Sequence, residues 1–231
     1  MSINKKNTFE QHDNEEGSFY KSSVNPFKGS GYLNNYLEVD VCIIGGGLTG
    51  VSSALNLAKK GFSVALCEAR TIGWGASGRN GGQLGIGMRK EQSLIEKKLG
   101  FEYAKELWLL GLEAVSEATK LISDYKIQCA LQKGVISAGY YKKNKEDFLF
   151  EIDHMQKYYN FSGYKYLDKD EINNEINTNL YHSGLLNNHS YHLNPLKLLI
   201  GLAGELLKLN VNIYENTPIT KILNDQNGVK V

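Results

Sequence analysis

The stretch EVDVCIIGGGLTG, residues 38–50, joins a short apolar run directly to a cluster of glycines. The apolar residues are Val39 and, after Asp40, the continuous run Val41, Cys42, Ile43 and Ile44. Such a run is typical of a strand that is buried on both faces of a parallel sheet. Apolar residues then recur at helical spacing from Leu48 to Ala58, and Gly61 predicts the end of that helix.

A second buried strand is predicted by FSVALCE, residues 62–68, which ends at the acidic residue Glu68. Residues 39–68 therefore predict a strand, a glycine turn, a helix and a second strand. This order is one βαβ unit, the element from which parallel sheets are built.

The glycines of the turn match the pattern GxGxxG, with Gly45, Gly47 and Gly50 at its fixed positions. Gly45 allows a tight turn, Gly47 lets the backbone approach a pyrophosphate, and Gly50 lets the helix pack close to the strand. The free N–H groups at the helix N-terminus favour the phosphates. The alternative is a glycine-rich turn without a ligand, but the strands, the helix and Glu68 together favour a dinucleotide site.

Glu68 is expected to accept hydrogen bonds from the ribose hydroxyls of the dinucleotide. A carboxylate at this position disfavours a 2′-phosphate and therefore NADP. The βαβ unit alone does not choose between NAD and FAD, and a compact NAD-dependent dehydrogenase stays an alternative on these residues.

The run IGWGASGRNGGQ, residues 72–83, follows where a nicotinamide enzyme normally has another helix. Flexible linkers are rich in Gly and Ser but do not need Trp74, Arg79 or Asn80. Bare backbone at Gly81 and Gly82 can lie against a flat ring and offer N–H groups to it. A loop that approaches a cofactor closely is therefore the favoured interpretation.

This run resembles the corresponding segment of the D-amino-acid oxidase family of FAD-dependent oxidoreductases, and within that family it is most similar to oxidases of gamma-glutamylputrescine. The resemblance extends from about Phe19 through most of the chain. It implies FAD as the cofactor and hydride transfer from a carbon next to an amine nitrogen to flavin N5. The imine product then hydrolyses, and oxygen or another acceptor takes the electrons. The resemblance names no catalytic residue.

In the family, the glycine-rich run passes beside the pyrophosphate, the ribityl chain and the isoalloxazine ring, and a later strand contacts the adenine. The residues expected to bind the cofactor are Gly45, Gly47, Leu48, Thr49, Gly50, Glu68, Ala69, Arg70, Gly75, Ala76, Ser77, Arg79, Asn80, Gly81, Gly82, Gln83 and Ile219.

Three other segments resemble the family: SFYKSSVNPF (18–27), YKIQCALQKGVISAG (125–139) and SYHLNPLKL (190–198). The last segment has Ser190 and Tyr191 where the family has two glycines. Backbone conformations that only glycine adopts are therefore not expected at these two positions.

The predicted fold is α/β: a Rossmann-like FAD-binding domain interrupted by an α+β substrate domain and truncated at the C-terminus. We expect a polar N-terminal extension (1–36), the first part of the FAD-binding domain (37–90), a substrate or cap part (91–193) and a return to the FAD-binding domain (194–231). The return is predicted to contain a helix opened by Asn194 and Pro195, then strands at VNIYE (211–215) and PITKIL (218–223).

The composition is that of an ordinary globular protein, with a net charge of +1 and 42% hydrophobic residues. Neither a nucleic-acid partner nor a membrane anchor is expected, and the polar N-terminus carries no secretory signal. Three separated cysteines favour buried thiols in the cytoplasm. The histidines at 182, 189 and 192 are expected to be exposed or hydrogen-bonded rather than to bind a metal, although a substrate contact by His192 stays open.

Asn227 and Gly228 predict a hairpin turn, after which three residues remain. A longer returning strand is expected, and the family also continues well beyond this length. The leading functional hypothesis is an FAD-dependent amine or amino-acid oxidoreductase. The alternative is a catalytically silent N-terminal fragment or split-gene product that binds FAD weakly or needs a complementing C-terminal chain.

Overall fold

The computed structural model describes residues 18–226 and 228–231. Much of the predicted N-terminal extension, residues 1–17, and Asn227 of the predicted turn lie outside the described residues. The chain divides into two compact units, which we describe separately. Among the described residues, the first unit combines residues 18–79 with residues 195–226 and 228–231, and the second contains residues 80–194.

The described part of the chain forms helices and short strands, numbered here in chain order. The helices are α1 (Phe19–Ser22), α2 (Leu48–Lys59), α3 (Gln92–Leu99), α4 (Phe101–Asp124), α5 (Asn144–Tyr159), α6 (Lys169–Ile176) and α7 (Pro195–Lys208). The strands are β1 (Val41–Ile44), β2 (Val64–Cys67), β3 (Gln83–Leu84), β4 (Gln132–Gly139), β5 (Tyr164–Leu167), β6 (Ser183–His192), β7 (Asn212–Tyr214), β8 (Leu223–Asp225) and β9 (Gly228–Lys230).

The first unit contains a parallel sheet with the strand order β1-β2-β7. The predicted βαβ unit is confirmed: β1 pairs with β2 from Val41↔Val64 to Ile44↔Cys67, and α2 connects the two strands. Helices α2 and α7 pack against each other. Leu66 of β2, Leu199 of α7 and other apolar side chains of this unit are fully buried.

The prediction that β1 is buried on both faces is wrong. Its residues are half-buried, and the Ile44 side chain at its end is 50% exposed. The physical reason is the position of β1, which lies at the end of the described strand order and pairs there with β2 alone. By contrast, β2 lies between two strands, and each of its residues is buried.

The end of the first unit departs from the predicted strand at 218–223. The described backbone from Thr217 to Ile222 is irregular, and β8 begins at Leu223. Pro218 cannot donate a ladder hydrogen bond, and the Thr217 N–H is already bonded to the Glu68 carbonyl at 2.9 Å. The predicted hairpin is confirmed, since β8 and β9 pair antiparallel with Asp225 opposite Gly228.

The second unit is built around β6, which pairs antiparallel with β3, β4 and β5. Trp108, Met155, Tyr159 and Phe161 form a buried cluster in this unit. Helix α6 begins with a capping box, the arrangement that is typical of an Asp followed three residues later by a Glu. The Asp168 side chain accepts hydrogen bonds from the Asp170 and Glu171 N–H groups, and the Glu171 side chain accepts one from the Asp168 N–H.

Ser190 and Tyr191, which stand where the resemblance implies two glycines, both lie in strand β6, and neither has the positive φ that favours glycine. The Ser190 side chain is buried, and its hydroxyl accepts a hydrogen bond from the Ile86 N–H at 3.2 Å. Serine therefore serves in this chain as a polar contact inside the second unit.

The compact units divide at 79/80 and 194/195, against predicted domain boundaries at 90/91 and 193/194. Gln83 and Leu84 explain the earlier division, because they form β3 and pair with β6 of the second unit. The assignment of the two units to FAD and to substrate stays a prediction.

None of the three cysteines forms a disulfide, and Cys67 and Cys129 are buried. Burial is the largest cause that raises the pKa of the Cys67 thiol, and the neighbouring Cys42 raises it further. Within residues 18–226 and 228–231, no helix has the length and apolar character needed to cross a membrane.

Candidate cofactor site

The glycine turn between β1 and α2 has the geometry that the motif predicts. Gly45 has a φ of +107°, which favours glycine, and its N–H donates to the Cys67 carbonyl at 2.8 Å. A Cβ at Gly50 would overlap the Gly45 carbonyl and lie 3.3 Å from Cγ2 of Ile43. The absence of a side chain at Gly50 therefore lets α2 begin directly against the end of β1.

The N-terminus of α2 is capped by a residue from a distant part of the chain. The helix follows Gly47, which has no side chain to offer. The Leu48 N–H instead donates to the hydroxyl of Ser77 at 3.0 Å. Thr49 and Gly50 complete the first turn, where backbone N–H groups and the helix dipole favour an anion.

Glu68 joins the glycine turn to the segment that follows β2. One carboxylate oxygen accepts from the Gly46 N–H at 2.6 Å, and the other accepts from the Arg70 N–H at 2.8 Å. The Glu68 carboxylate therefore links the glycine turn to the backbone of the segment Ala69–Arg70, directly after β2. Each carboxylate oxygen can accept more than one hydrogen bond, so capacity remains for ribose hydroxyls.

Glu215 occupies the matching place at the end of β7 and was missed by the sequence analysis. Its carboxylate accepts from the Ile72 N–H at 2.7 Å. Burial is the largest cause that raises the pKa of this carboxyl; the Ile72 hydrogen bond opposes it, and the charge of Glu68 adds to it. The pattern that could have found Glu215 is visible in VNIYE, where an acid follows an apolar strand as in FSVALCE.

The loop from Arg70 to Arg79 is fixed by one aromatic side chain and by backbone contacts. The Trp74 ring lies 5.6 Å from the Arg70 guanidinium and 4.6 Å from that of Arg79. The Arg79 Nε donates to the Gly75 carbonyl at 3.4 Å. A short 3-10 turn, Ala76–Gly78, places Ser77 at the start of α2.

The two glycines of this loop that are not in the predicted cofactor set have packing roles. Gly73 has a φ of +75°, and a Cβ there would lie 2.6 Å from Cδ1 of Leu196. Gly78 is also tight against Leu196. Around Gly75, in contrast, no described atom lies within 4 Å of a possible Cβ, so this position leaves room for a ligand.

The predicted residues Asn80, Gly81, Gly82 and Gln83 belong to the second unit. The Asn80 side chain accepts from the Gly82 N–H at 2.8 Å, and Gly82 has a φ of +72°. Gln83 begins β3 and lies opposite His192 of β6. The Asn-Gly-Gly turn is therefore a fixed structure.

The structure brings together part of the predicted set in the first unit: Gly45, Gly47, Leu48, Gly50, Glu68, Arg70 and Ser77 are linked by the contacts described above. Ile219 lies half-buried in the irregular segment before β8, so the strand expected around it is absent from the described chain. Among the described residues there is no group of three His, Cys, Asp or Glu side chains that could hold a metal ion.

These residues fit the ADP half of FAD. The glycine turn and the α2 N-terminus offer backbone donors where a pyrophosphate is expected, and Glu68 offers acceptors where a ribose is expected. These groups are held in place by hydrogen bonds from the Gly46 N–H to Glu68 and from the Leu48 N–H to Ser77.

Comparison with known proteins identifies the family. Residues 40–231 match the family model DAO, described as FAD dependent oxidoreductase. Gamma-glutamylputrescine oxidoreductase of Escherichia coli is 34% identical over 205 residues, which are 89% of this chain and 48% of that protein. The probable oxidoreductase OrdL of Haemophilus influenzae is 31% identical over 93% of this chain and 50% of its own length.

Solved structures show the same fold. Glycine oxidase from Geobacillus kaustophilus has a TM-score of 0.63 at 23% identity, over 83% of this chain and 50% of that one. L-amino acid deaminase from Proteus myxofaciens, in complex with anthranilate, has a TM-score of 0.62 at 20% identity, over 89% and 43% of the two chains. The chain thus spans about half the length of the relatives it matches. It is a member of the DAO family of FAD dependent oxidoreductases.

Proposed function

We propose that this chain carries the FAD-binding site of an oxidoreductase that oxidises a C–N bond of a small amine or amino acid. The observation that carries the proposal is the linked set of contacts around the start of α2, where Glu68 and Ser77 both bond the glycine turn region. Family membership supplies the identity of the cofactor.

In this proposal, the residues around the start of α2 contact different parts of the cofactor. The backbone at Gly45 and Gly47 approaches the pyrophosphate, and the open N–H groups of α2 neutralise its charge. Glu68 accepts the ribose hydroxyls while it keeps the Gly46 N–H in place. Ser77 holds the loop against the helix and presents its hydroxyl to the phosphates.

The segment Asn80–Gln83 is proposed to lie along the flavin ring, as the family resemblance implies. Asn80 holds the Gly82 N–H, so the ring would meet a fixed backbone. When bound, FAD supplies a ring whose N5 accepts a hydride from the carbon next to the substrate nitrogen. The chain's own contribution is to bind, orient and exclude water, and no residue is assigned as a catalytic base.

Gamma-glutamylputrescine is the proposed substrate type, because the E. coli relative, which is 34% identical to this chain, is named gamma-glutamylputrescine oxidoreductase. Other small amines, glycine and sarcosine are the alternatives for the same chemistry. Oxidation of the C–N bond gives an imine, which water hydrolyses. The partner in this function is thus a small molecule.

The alternative proposal is a catalytically silent product that binds FAD weakly or needs a complementing C-terminal chain. Two observations favour it. The chain spans about half the length of its relatives, and β1 leaves Ile44 50% exposed at the described end of the sheet. Parallel sheets of this kind are normally covered, so a further segment at β1 would complete this one.

Anaerobic reduction of the FAD-loaded protein separates the two proposals. Gamma-glutamylputrescine is added without oxygen, with glycine, sarcosine and simple amines in parallel, and the flavin bands are followed. Bleaching by an amine supports the oxidoreductase. Retained FAD that no amine bleaches, and that is bleached once the C-terminal half of a relative is added, supports the alternative.

A further inference from the structure

A cavity of about 400 Å³ lies within the first unit, next to the glycine turn, which the lining residue Gly73 contacts through its N–H. Its walls come from the N-terminal segment 18–27, the loop 71–79 and the start of α7. The volume is within the range of small-molecule sites. The cavity also gives a place to the SFYKSSVNPF segment, which the proposed cofactor site does not use. Its apolar lining includes Val24, Phe27, Ile72, Trp74, Leu196 and Ile200.

The loop side of the cavity is held by hydrogen bonds. The Ile72 N–H donates to Glu215, and the Trp74 N–H donates to the Thr71 carbonyl at 2.9 Å. The Gly73 N–H donates to the Gly46 carbonyl at 3.1 Å. This wall is therefore pre-formed, and a ligand would not have to order it.

Consecutive residues at 77–79 contact two different parts of the first unit. The Ser77 hydroxyl bonds the N-terminus of α2, whereas Gly78 and Arg79 line the cavity. The cavity and the proposed phosphate site therefore lie on different sides of this turn. The family resemblance predicts that Arg79 contacts the flavin, while the geometry of the first unit places Arg79 at the cavity.

The charged groups that line the cavity favour an anion. Lys21 and Arg79 are cationic, and Glu215 is the single carboxylate among the described lining residues. That carboxylate is already bonded within the wall, because it accepts from the Ile72 N–H at 2.7 Å. The Arg79 guanidinium lies over the Trp74 ring at 4.6 Å, so the cation is positioned at an aromatic wall.

We propose that this cavity binds a small apolar carboxylate at a site separate from the cofactor. The apolar part of the ligand lies between the N-terminal segment and the start of α7, and its carboxylate is held by Arg79. The proposal does not depend on the oxidoreductase activity.

Trp74 gives a direct readout of binding. The chain has two tryptophans, and the other, Trp108, is buried in the second unit. The Trp108 indole N–H has no partner among the described groups, so Trp108→Phe removes no hydrogen bond there. In this variant, decanoate below its micelle concentration is expected to change Trp74 fluorescence saturably, at one ligand per chain. Decyltrimethylammonium, with the opposite charge, is expected to give no saturable change.

Two further variants test the geometry. Arg79→Gln is expected to weaken decanoate binding about tenfold, the scale of one charge-assisted contact. Ile200→Phe fills the apolar wall without a change of charge and is expected to weaken binding similarly. The matched control is Arg70→Gln, because the Arg70 guanidinium also lies on Trp74 but does not line the cavity. Its affinity is expected to stay within about twofold.

Calorimetry on the unaltered chain keeps the test independent of the tryptophan change and is expected to give the same affinity. Folding is checked by circular dichroism. A folded chain without saturable binding would overturn the proposal, as would equal binding of the cation. Displacement of decanoate by FAD would show that the cavity is part of the cofactor site, which would also overturn it.

Discussion

The Ser77 hydroxyl lies 3.0 Å from the backbone nitrogen of Leu48 and accepts its hydrogen bond, across a separation of 29 residues. Gly47, at the N-cap position of α2, has no side chain that could make this bond. Residue 77 of the glycine-rich loop is thus in direct contact with the start of α2, within the first unit.

Ser77→Ala removes the acceptor for the Leu48 N–H and is expected to lower the free energy of unfolding by about 1 kcal/mol, as for other N-cap losses. Urea unfolding measures this change. ADP affinity is expected to fall as well, since the loop is then less firmly held at the helix. Ser53→Ala, on the exposed face of α2, is the control and is expected to leave both quantities nearly unchanged. An equal loss in the two variants would contradict the capping role.

Glu68→Ala leaves two backbone donors, Gly46 and Arg70, without their carboxylate. ADP affinity, measured by calorimetry, is expected to fall at least about tenfold, since two hydroxyl acceptors and the fixed turn are lost together. Glu68→Gln keeps one carbonyl oxygen as an acceptor, so its ADP affinity should lie between those of the unaltered chain and Glu68→Ala. The exposed Glu38→Gln removes the same charge elsewhere and should bind ADP normally. Unchanged affinity in Glu68→Ala would rule out the ribose contact.

Gly50→Ala places a methyl group against the Gly45 carbonyl. The expected loss of stability is at least about 2 kcal/mol, because neither backbone segment can move without breaking the turn. Gly204→Ala in α7 is the matched substitution, since no described atom lies within 4 Å of its Cβ position. It should stabilise the chain by about 0.5–1 kcal/mol through helix propensity. Similar effects of the two changes in urea unfolding would contradict the close approach of α2 to β1.

The sequence could predict those parts of the fold in which local pattern and tertiary environment agree. The βαβ unit and the α6 capping box are of this kind, because spacing and residue type determine them locally. The burial of β1 was not predictable from its apolar run. It depends on which strands lie beside it, and that is a property of the sheet.

Only part of the candidate site could be predicted from local sequence patterns. The motif positions Gly45, Gly50 and Glu68 followed from the pattern of the sequence. Glu215 was missed because its hydrogen bond to Ile72 joins residues 143 positions apart. The strand around Ile219 was predicted from an apolar run, but Pro218 and the bond from Thr217 to the Glu68 carbonyl favour an irregular backbone.

Glu215 gives a prediction for pH. Its pKa is raised in the folded chain, chiefly by burial, so folding favours the protonated carboxyl. The contribution of Glu215 to stability is therefore present below its ordinary pKa and is lost as the pH rises through the raised value. Glu215→Gln keeps a carbonyl acceptor for Ile72 but cannot ionise. The stability of this variant relative to the unaltered chain should increase with pH across that window.

Glu171 is expected to show the opposite dependence of stability on pH in the same unfolding measurements. The backbone hydrogen bond at Asp168 is the largest cause that lowers its pKa, so its contribution is present above its ordinary value and is lost as the pH falls through the lowered one. Glu171→Gln should therefore become relatively less stable as the pH rises. The same slope for both variants would contradict the burial of Glu215.

The most direct test of the central claim is the absorption spectrum of the purified chain after incubation with FAD and gel filtration. Flavin bands are expected to elute with the unaltered protein and to be absent when Glu68→Ala is treated in the same way. A folded chain from which FAD separates completely, with no difference between the unaltered protein and Glu68→Ala, would contradict the claim.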